Sequence, residues 1–326
     1  MSEVVTVAIP VRDGGAMLEQ TLRMVCAQRL DASRSLELVV CDSGSSDGSP
    51  DLARRFGAEV ILIAPERFSH GRTRNQLMER SRGTHVAFLT QDAVPADDLW
   101  LSRLIGAFSL AADVGLAFGP YRPRADASPM VARELTDWFA SFSSSDRPRL
   151  DRLELHERGI ESRALMGARA YFTDANGCVA RSAWERVPFP DVPYAEDHAL
   201  ALQMLRAGYA KVYEPAAAVI HSHEYSSWGW LRRSFDESRA LRDVYGWVPP
   251  LDPRTASLDV WGRVGADWRW MQAHRTGSVG RTDAVAALAR SAVHHAAKIT
   301  GAALGARSER LSPALARRLS LERRGS

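Results

Sequence analysis

The chain has 326 residues, of which 45% are hydrophobic and 25% are charged, and this composition is typical of a folded globular protein. This composition excludes a disordered, collagen-like or coiled-coil chain. The formal net charge of +3 is too small to indicate that the chain binds nucleic acid. At about 150 residues per domain, the length predicts two domains, or one large α/β domain with an appendage.

Short apolar segments alternate with amphipathic segments over the first third of the chain. We predict strands at 4–11, 36–41, 59–64, 85–90 and 115–121, and helices at 16–28, 50–56, 71–82 and 99–110. This alternation predicts a mostly parallel sheet flanked by helices. Ligands of such sheets bind at the carboxyl ends of the strands, where the polar segments of this chain fall.

The last hundred residues differ in composition from the rest. Six of the nine tryptophans lie from Trp228 to Trp270. Before this segment, a helix is predicted at 196–207 and an apolar strand within 211–221. Residues 276–326 carry a net charge of +6, which leaves −3 for the preceding 275 residues. A basic helix from Asp283 to Ala303 is predicted to contact anionic lipid, to be a plain helical appendage, or to contact a second copy of the chain.

The three cysteines, Cys26, Cys41 and Cys178, are too few and too widely spaced for a disulfide framework. Their apolar neighbours predict buried free thiols in a reducing compartment. We find no signal-peptide pattern and no apolar stretch of about 18 residues, so the expected location is the cytoplasm, or the inner face of the plasma membrane if the basic tail binds lipid.

An acidic, glycine- and serine-rich loop, Asp42-Ser-Gly-Ser-Ser-Asp47-Gly, follows the second strand directly. A carboxylate at this position can accept hydrogen bonds from a nucleobase or ribose, and small residues let the backbone approach a ligand closely. The alternative is a helix N-terminal turn capped by Asp47 or Ser49.

Three residues at strand ends form a candidate metal site. Asp92, in Thr90-Gln-Asp-Ala, follows the fourth strand, and a carboxylate there suits a divalent cation and its diphosphate ligand. His221 and His223 share one face of an extended chain, so both can bind one metal, or one can bind metal and the other phosphate. The alternatives are a turn aspartate and two surface histidines.

Two further motifs lie at predicted helix starts. Glu196 and Asp197 are either solvated first-turn acids that favour the helix dipole, or they include a general base. Arg72, Arg74 and Asn75, which follow Phe68-Ser-His-Gly, form either an anion site or an exposed basic helix face.

The tryptophan-rich segment contains a candidate carbohydrate-binding site. Trp228 and Trp230 can stack on sugar rings, and Arg232 with Arg233 can reach a diphosphate. The alternatives are helix packing for the tryptophans and a solvated basic face for the arginines.

In order along the chain, the segments AIPVRDGG, VVCDSGSSDGS, GRTRN, AFLTQDAVP, NGCVARSAWERVPF, AEDHALALQMLRAG and HSH resemble the family 2 inverting glycosyltransferases over about residues 4–225. FSHGRTRN and TQDA are most similar to the bacterial rhamnosyltransferases of that family, which use dTDP-L-rhamnose. The resemblance implies a GT-A fold: a Rossmann-like, mostly parallel sheet with flanking helices, here followed by a helical C-terminal extension. It thus predicts a nucleotide-sugar and catalytic domain at 1–225 and an extension at 226–326.

The resemblance also implies roles for individual residues. Asp197 matches the catalytic base, with Glu196 beside it, and Thr90 replaces the first acid of the family's Asp-x-Asp motif. The predicted ligands of a divalent metal, Mg²⁺ or Mn²⁺, are Asp92, His221 and His223. The predicted nucleotide-sugar-binding residues are Pro10, Arg12, Asp13, Asp42, Gly44, Arg74, Asn75, Gln91 and Asp92. The predicted acceptor and sugar contacts are Asn176, Gly177, Trp228, Trp230 and Arg232.

The implied reaction is transfer of L-rhamnose from dTDP-L-rhamnose to a hydroxyl of a glycan or lipid-linked acceptor, by metal-assisted single displacement with inversion. The alternatives are a transferase that uses a UDP- or GDP-sugar, and a non-catalytic relative that binds nucleotide or glycan. A nucleotidyltransferase is disfavoured, because the loop after the first strand, RDGGAM, contains no lysine.

Overall fold

The computed structural model describes residues 2–143, 145–250, 252–274 and 281–322. The chain divides into two compact units. We call residues 1–124 with 136–221 the sheet unit, and residues 125–135 with 222–326 the helical unit. The predicted boundary at 225 lies near the second crossing between the units, but the inclusion of residues 125–135 in the helical unit was not predicted.

The sheet unit contains two sheets. The strands are β1 (Glu3–Val11), β2 (Arg34–Asp42), β3 (Glu59–Leu62), β4 (His85–Leu89), β5 (Val94–Pro95), β6 (Val114–Phe118), β7 (Tyr121–Arg122), β8 (Arg149–Asp151), β9 (Asn176–Ala180), β10 (Ala210–Tyr213) and β11 (Val219–Ile220). The main sheet has the order β3-β2-β1-β4-β9-β6-β10-β8, and the small sheet has the order β5-β11-β7. In the main sheet, β1 pairs in parallel with β2 and β4, β2 with β3, and β6 with β10, whereas β9 and β8 run antiparallel to their neighbours.

Helices connect and follow these strands. They are α1 (Gly15–Cys26), α2 (Ser49–Arg55), α3 (His70–Arg80), α4 (Trp100–Gly106), α5 (Pro129–Ala140), α6 (Ser162–Leu165), α7 (Arg181–Trp184), α8 (Glu196–Ala207), α9 (Ser227–Tyr245), α10 (Pro253–His274), α11 (Arg281–Gly305) and α12 (Pro313–Leu319). Short 3₁₀ helices lie at Pro65–Arg67, Ala107–Leu110, Leu155–Glu157 and Ser308–Arg310.

The predicted alternation of strands and helices is confirmed, with boundary shifts of one to a few residues. The helix predicted at 99–110 ends as α4 at Gly106 and continues as a 3₁₀ turn, and the strand predicted within 211–221 is two strands, β10 and β11. The predicted tail helix at 283–303 lies within α11.

The core of the sheet unit forms where β-branched strands meet the apolar face of α1. Leu18, Leu22 and Val25 are fully buried on that face, at the spacing of successive helical turns. Cys26 ends the helix and is exposed, so the prediction that all three cysteines are buried is wrong for Cys26; Cys41 and Cys178 are buried. All three are free thiols.

The strand register brings the polar loops to one edge of the main sheet. Val11, the last residue of β1, is opposite Asp42, the last residue of β2. Leu89, at the end of β4, is opposite Asn176, where the antiparallel strand β9 begins. The loops that carry Asp13, Asp42 and Asp92 therefore leave the sheet side by side.

In the helical unit, α9 and α11 approach closely at glycines. A Cβ on Gly301 would lie 2.1 Å from the carbonyl oxygen of Leu231, so only glycine fits this position.

None of the helices in the described ranges has the length and apolar character needed to cross a membrane.

Intramolecular contacts occupy most of the basic face of α11 that suggested lipid contact. His295 is fully buried, with Nε2 2.7 Å from Oδ2 of Asp267. Lys298 donates to Oε2 of Glu134 at 2.6 Å. These polar groups of α11 therefore pair within the helical unit, and contact of the helix with anionic lipid or with a second copy of the chain stays a prediction.

Candidate active site

Three loops that follow β1, β2 and β4 form the strand-end loops of the site. The loops after β1 and β4 are joined by two hydrogen bonds between Arg12 and Gln91. Oε1 of Gln91 accepts from the backbone N–H of Arg12 at 2.8 Å, and Nε2 of Gln91 donates to the Arg12 carbonyl at 3.0 Å. Gln91 thus acts as an amide clip between the end of β1 and the end of β4. The structure gives Gln91 a supporting role for the loop of Arg12, and its predicted contact with the nucleotide sugar stays a prediction.

The first and second loops are joined by carboxylates. Oδ1 of Asp13 accepts from the backbone N–H of Ser46 at 2.8 Å, and Oδ2 of Asp47 accepts from the N–H of Gly15 at 2.9 Å. Asp13 has φ of 47°, a left-handed conformation that is uncommon outside glycine. Such backbone strain is held only where surrounding bonds define the conformation, as these do.

Asp42 organises the second loop. Its side chain is buried; Oδ1 accepts from the N–H groups of Gly44 and Ser45, and Oδ2 accepts from the Ser45 hydroxyl at 2.5 Å. Gly44 has φ of 87°, which requires glycine. The N-cap of α2 is Gly48, not Asp47 or Ser49 as predicted, but Oδ1 of Asp47 accepts from the backbone N–H of Ser49 at 3.0 Å. Pro10, half-buried near the end of β1, pairs with Cys41 in β2.

A buried cluster of one arginine and three acids lies at the start of α8; we call it the Arg74 cluster. The Arg74 guanidinium is 3% exposed, donates to Oδ1 of Asp174 at 2.7 Å and lies 3.0 Å from Oε1 of Glu196. Asp197 is half-buried beside them. Ala195, directly before this pair of acids, has φ of 60°, a left-handed conformation unfavourable for alanine.

The Arg74 cluster holds fewer positive charges than acids, and this changes their protonation. Burial raises the pKa of Asp197 to about 7, and the negative charge of Asp174 adds to the effect. Burial also raises the pKa of Asp174 to about 7, against the attraction of Arg74, and raises the pKa of Glu196. A carboxylate with a pKa near neutral pH can take a proton from a hydroxyl more readily than an ordinary aspartate.

We expect Asp174→Asn to move the pH dependence of turnover. If Asp197 acts as a base, activity rises with pH with a midpoint near 7, because the base must be deprotonated. Removing the charge of Asp174 favours ionised Asp197, so the midpoint shifts to lower pH. The measurement is kcat/KM from pH 5 to 9, with Asp191→Asn, an exposed acid, as the control. An unchanged midpoint in Asp174→Asn would rule out this coupling.

The small sheet brings together two of the predicted metal ligands. Asp92 precedes β5 and His221 follows β11, and Oδ1 of Asp92 lies 3.6 Å from Nδ1 of His221. The buried Thr90 hydroxyl has no hydrogen-bond partner among the described residues. A carboxylate oxygen and an imidazole nitrogen at this spacing suit a divalent cation. His223 falls in the helical unit, and its role stays a prediction.

Tyr121 lies between the Asp92–His221 pair and the Arg74 cluster. Its ring packs edge-on against His221 with centroids 5.0 Å apart, and its hydroxyl hydrogen-bonds the hydroxyl of Thr173, next to Asp174. The negative charge of Asp197 is among the influences that raise the pKa of Tyr121, after burial. Tyr121 thus links the surroundings of Asp197 to the Asp92–His221 pair. Sequence reasoning missed Tyr121 and Asp174, since neither stands in a recognisable motif.

Three residues that were predicted to contact the nucleotide sugar or the acceptor have partners within the protein. Asn75 accepts from the Trp184 indole and the Phe189 N–H and donates to the Phe189 carbonyl. Asn176, fully buried, accepts from the Trp100 indole and donates to two carbonyls. A Cβ on Gly177 would lie 2.3 Å from the Thr173 carbonyl oxygen. The structure gives these residues packing roles, so any contact with a nucleotide or sugar stays a prediction.

The start of α3, where an anion site was predicted, is covered by another segment of the chain. A Cβ on Gly71 would lie 2.1 Å from the carbonyl oxygen of Pro190, so the neighbouring segment covers this helix end. The exposed Asp191 accepts from the Ser69 hydroxyl at 2.7 Å and lies 3.4 Å from Arg72, which puts a carboxylate of the chain itself where an anion was expected. Arg74 faces the acids described above.

The predicted acceptor residues Trp228, Trp230 and Arg232 belong to α9 of the helical unit. Trp230 packs edge-on against Tyr225 and His294, which favours the packing alternative for this tryptophan. Trp228 is 48% exposed, and Arg232 donates to the carbonyl of Ser320.

A sequence model of the family described as glycosyl transferase family 2 matches residues 6–171, which are half of the chain. The chain therefore belongs to glycosyl transferase family 2. The match includes the three strand-end loops and Arg74 and ends before Asp174, Glu196 and Asp197. The roles predicted for Glu196 and Asp197 therefore rest on the resemblance of their motif, and Asp174 is identified from the structure alone.

Two curated relatives are rhamnosyltransferases. The chain is 29% identical over 205 residues to the O-antigen chain rhamnosyltransferase WbaN of Salmonella anatum, and the match covers 61% of each chain. It is 28% identical over 236 residues to the O-antigen chain rhamnosyltransferase RfbN of Salmonella typhimurium, covering 71% of this chain and 70% of the relative.

A solved structure confirms the predicted GT-A fold class. The mannosyltransferase from Pyrobaculum calidifontis, in complex with GDP-Man and Mn²⁺, is 19% identical to this chain with a TM-score of 0.57. The similarity covers 94% of this chain and 87% of that one, so it extends into the helical unit.

Proposed function

We propose that this family 2 member transfers L-rhamnose from dTDP-L-rhamnose to a hydroxyl of a glycan or lipid-linked acceptor, with inversion at the anomeric carbon. The observation that carries the proposal is the Asp197 carboxylate, whose pKa burial raises to about 7 and whose surroundings Tyr121 links to the Asp92–His221 pair. The two rhamnosyltransferase relatives support the choice of donor sugar.

Each part of the site has a task in this reaction. Asp197 takes the proton of the acceptor hydroxyl while its oxygen attacks the anomeric carbon from the side opposite the leaving diphosphate. Arg74 holds Asp174 and Glu196 so that Asp197 is deprotonated near neutral pH. Asp92 and His221 would hold a divalent metal, which when bound stabilises negative charge on the departing diphosphate.

The strand-end loops bind and orient the nucleotide. Asp13, Asp47 and Gln91 hold the loops in place before the donor arrives, so little conformational entropy is lost on binding. The buried Asp42 accepts from the backbone N–H groups of Gly44 and Ser45, which fixes the conformation of this loop. We also propose a cytoplasmic location, where nucleotide sugars and the free thiols of Cys41 and Cys178 coexist.

A panel of donors separates this proposal from its alternatives. We expect dTDP-L-rhamnose with Mg²⁺ or Mn²⁺ to raise the melting temperature more than UDP- or GDP-sugars, since a ligand that binds the native state stabilises it. A shift with a UDP- or GDP-sugar alone would remove the rhamnosyl assignment. Donor binding without release of nucleoside diphosphate in the presence of acceptors would instead indicate a non-catalytic relative.

We expect Asp92→Ala to weaken binding of Mn²⁺ and of the metal-dependent donor at least about tenfold, because the site loses its only carboxylate ligand among the predicted set. Isothermal titration with MnCl₂ in the presence of nucleoside diphosphate measures the loss. Asp98→Asn, an acid paired at the surface with Arg29, is the matched control. Equal Mn²⁺ affinity in wild type and Asp92→Ala would exclude Asp92 as a ligand.

A further inference from the structure

The helical unit contains a cleft lined by three arginines and one tryptophan. Its volume is about 310 Å³, and its lining residues are Trp228, Arg232, Arg317 and Arg318. We call it the anion cleft. The lining contains no acid, so an entering ligand meets three arginines and one tryptophan.

The arginines of the cleft come from two helices that are fixed to each other. Phe235 of α9 packs with Ala316 and Leu319 of α12 in an apolar cluster. The Arg232 guanidinium donates to the carbonyl of Ser320, just after α12. These contacts set the spacing of Arg232 from Arg317 and Arg318 before any ligand arrives.

Further hydrogen bonds anchor the chain beyond α12. Asp236 is fully buried on α9, and its Oδ2 accepts from the backbone N–H groups of Leu321 and Glu322 at 2.6 and 3.1 Å. The end of α12 is thus tied to α9 by a carboxylate as well as by apolar contacts. The cleft is part of the folded unit and does not depend on a ligand to form.

The charge of the cleft is not neutralised within the described part of the chain. Arg317 and Arg318 are exposed and form no ion pair there, and Arg232 donates to an uncharged carbonyl. Three cations placed together repel one another, and an anion with several oxygens removes that repulsion. Guanidinium groups bind phosphate oxygens in forked pairs, which makes phosphate the anion that best matches this lining.

The remaining lining residue indicates what accompanies the phosphate. Trp228 is 48% exposed in a chain where most large apolar side chains are buried. Its indole offers a flat apolar face to a group bonded to the phosphate. We propose that the anion cleft binds the phosphate or diphosphate of an organic phosphate ester, with Trp228 against the attached group. This site belongs to the helical unit alone and does not require the proposed transfer reaction.

Direct binding of inorganic pyrophosphate tests the proposal. The probe is titrated calorimetrically in EDTA, which withdraws the divalent metal on which pyrophosphate binding at a donor site would depend. We expect Arg317→Ala/Arg318→Ala to bind at least about tenfold more weakly than wild type, because two charge-assisted contacts are lost. Both side chains are exposed, so the fold is expected to survive, which the melting temperature checks.

A matched variant separates a specific cleft from a general charge effect. Arg254→Ala/Arg290→Ala removes two exposed arginines of the same unit and should bind pyrophosphate as wild type does. Co-sedimentation with phosphatidylglycerol or phosphatidylcholine vesicles shows whether a lipid headgroup supplies the phosphate: loss of phosphatidylglycerol binding only in the cleft variant also supports the proposal. Equal losses in both double variants would overturn it, as would a wild type that binds neither pyrophosphate nor phosphatidylglycerol vesicles.

Discussion

Asp197→Asn is expected to lower kcat by about 10² to 10⁴ while leaving binding of the nucleotide-sugar donor close to wild type. The amide keeps the size of the side chain but cannot accept a proton from the acceptor hydroxyl. The proposed donor contacts lie in the strand-end loops, which this substitution does not alter. The measurement is nucleoside diphosphate release under saturating donor and acceptor, paired with the donor-induced shift in melting temperature.

The matched control for Asp197→Asn is Glu185→Gln, an exposed acid of the sheet unit outside the site. Turnover in Asp197→Asn within a few-fold of wild type would contradict the assignment of the base. Loss of donor binding together with turnover would instead place Asp197 in the donor site.

Arg74→Leu is expected to destabilise the fold by about 3–5 kcal/mol at pH 8, because it leaves Asp174 and Glu196 buried without their cation. The loss should shrink as the pH falls. Burial raises the native pKa of Asp174 to about 7, and removing Arg74 raises it further, so protonation at low pH neutralises the stranded acids. Chemical denaturation at pH 8 and pH 5.5 measures both values.

The neighbouring arginine supplies the control for this experiment. Arg72 is 62% exposed, and its contact with Asp191 lies at the surface, so Arg72→Leu should change the free energy of unfolding by less than about 1 kcal/mol. If Arg74→Leu were as stable as Arg72→Leu at pH 8, the Arg74 cluster would not hold charged acids.

The fold could be predicted because its pattern is local. Short β-branched segments alternate with amphipathic ones over the first third of the chain, so β1 to β4 and the helices α1 to α3 between them were predicted to within a few residues. The polar loops could be placed together because parallel strands end at one edge of a sheet. Asp92 and His221 followed from the same argument, and the structure places them 3.6 Å apart.

The partners of individual polar side chains could not be predicted, because they depend on residues distant in sequence. Arg74 resembles an exposed anion-binding arginine until the fold places Asp174, 100 residues later, against it. Lys211 lies in an apolar segment, yet it is fully buried and donates to Asp151 of the edge strand β8 at 3.0 Å. The three-residue strand β8 has too short a pattern to be recognised alone.

The most direct test of the account is the configuration of the anomeric carbon in the transfer product, read by NMR from its one-bond carbon–proton coupling. If Asp197 acts as a base on the acceptor hydroxyl, the sugar moves in a single displacement, and the product has the configuration opposite to that of the donor. Retention of the donor configuration would contradict the account, since it requires a second displacement, with a protein side chain as nucleophile, or attack from the leaving-group face.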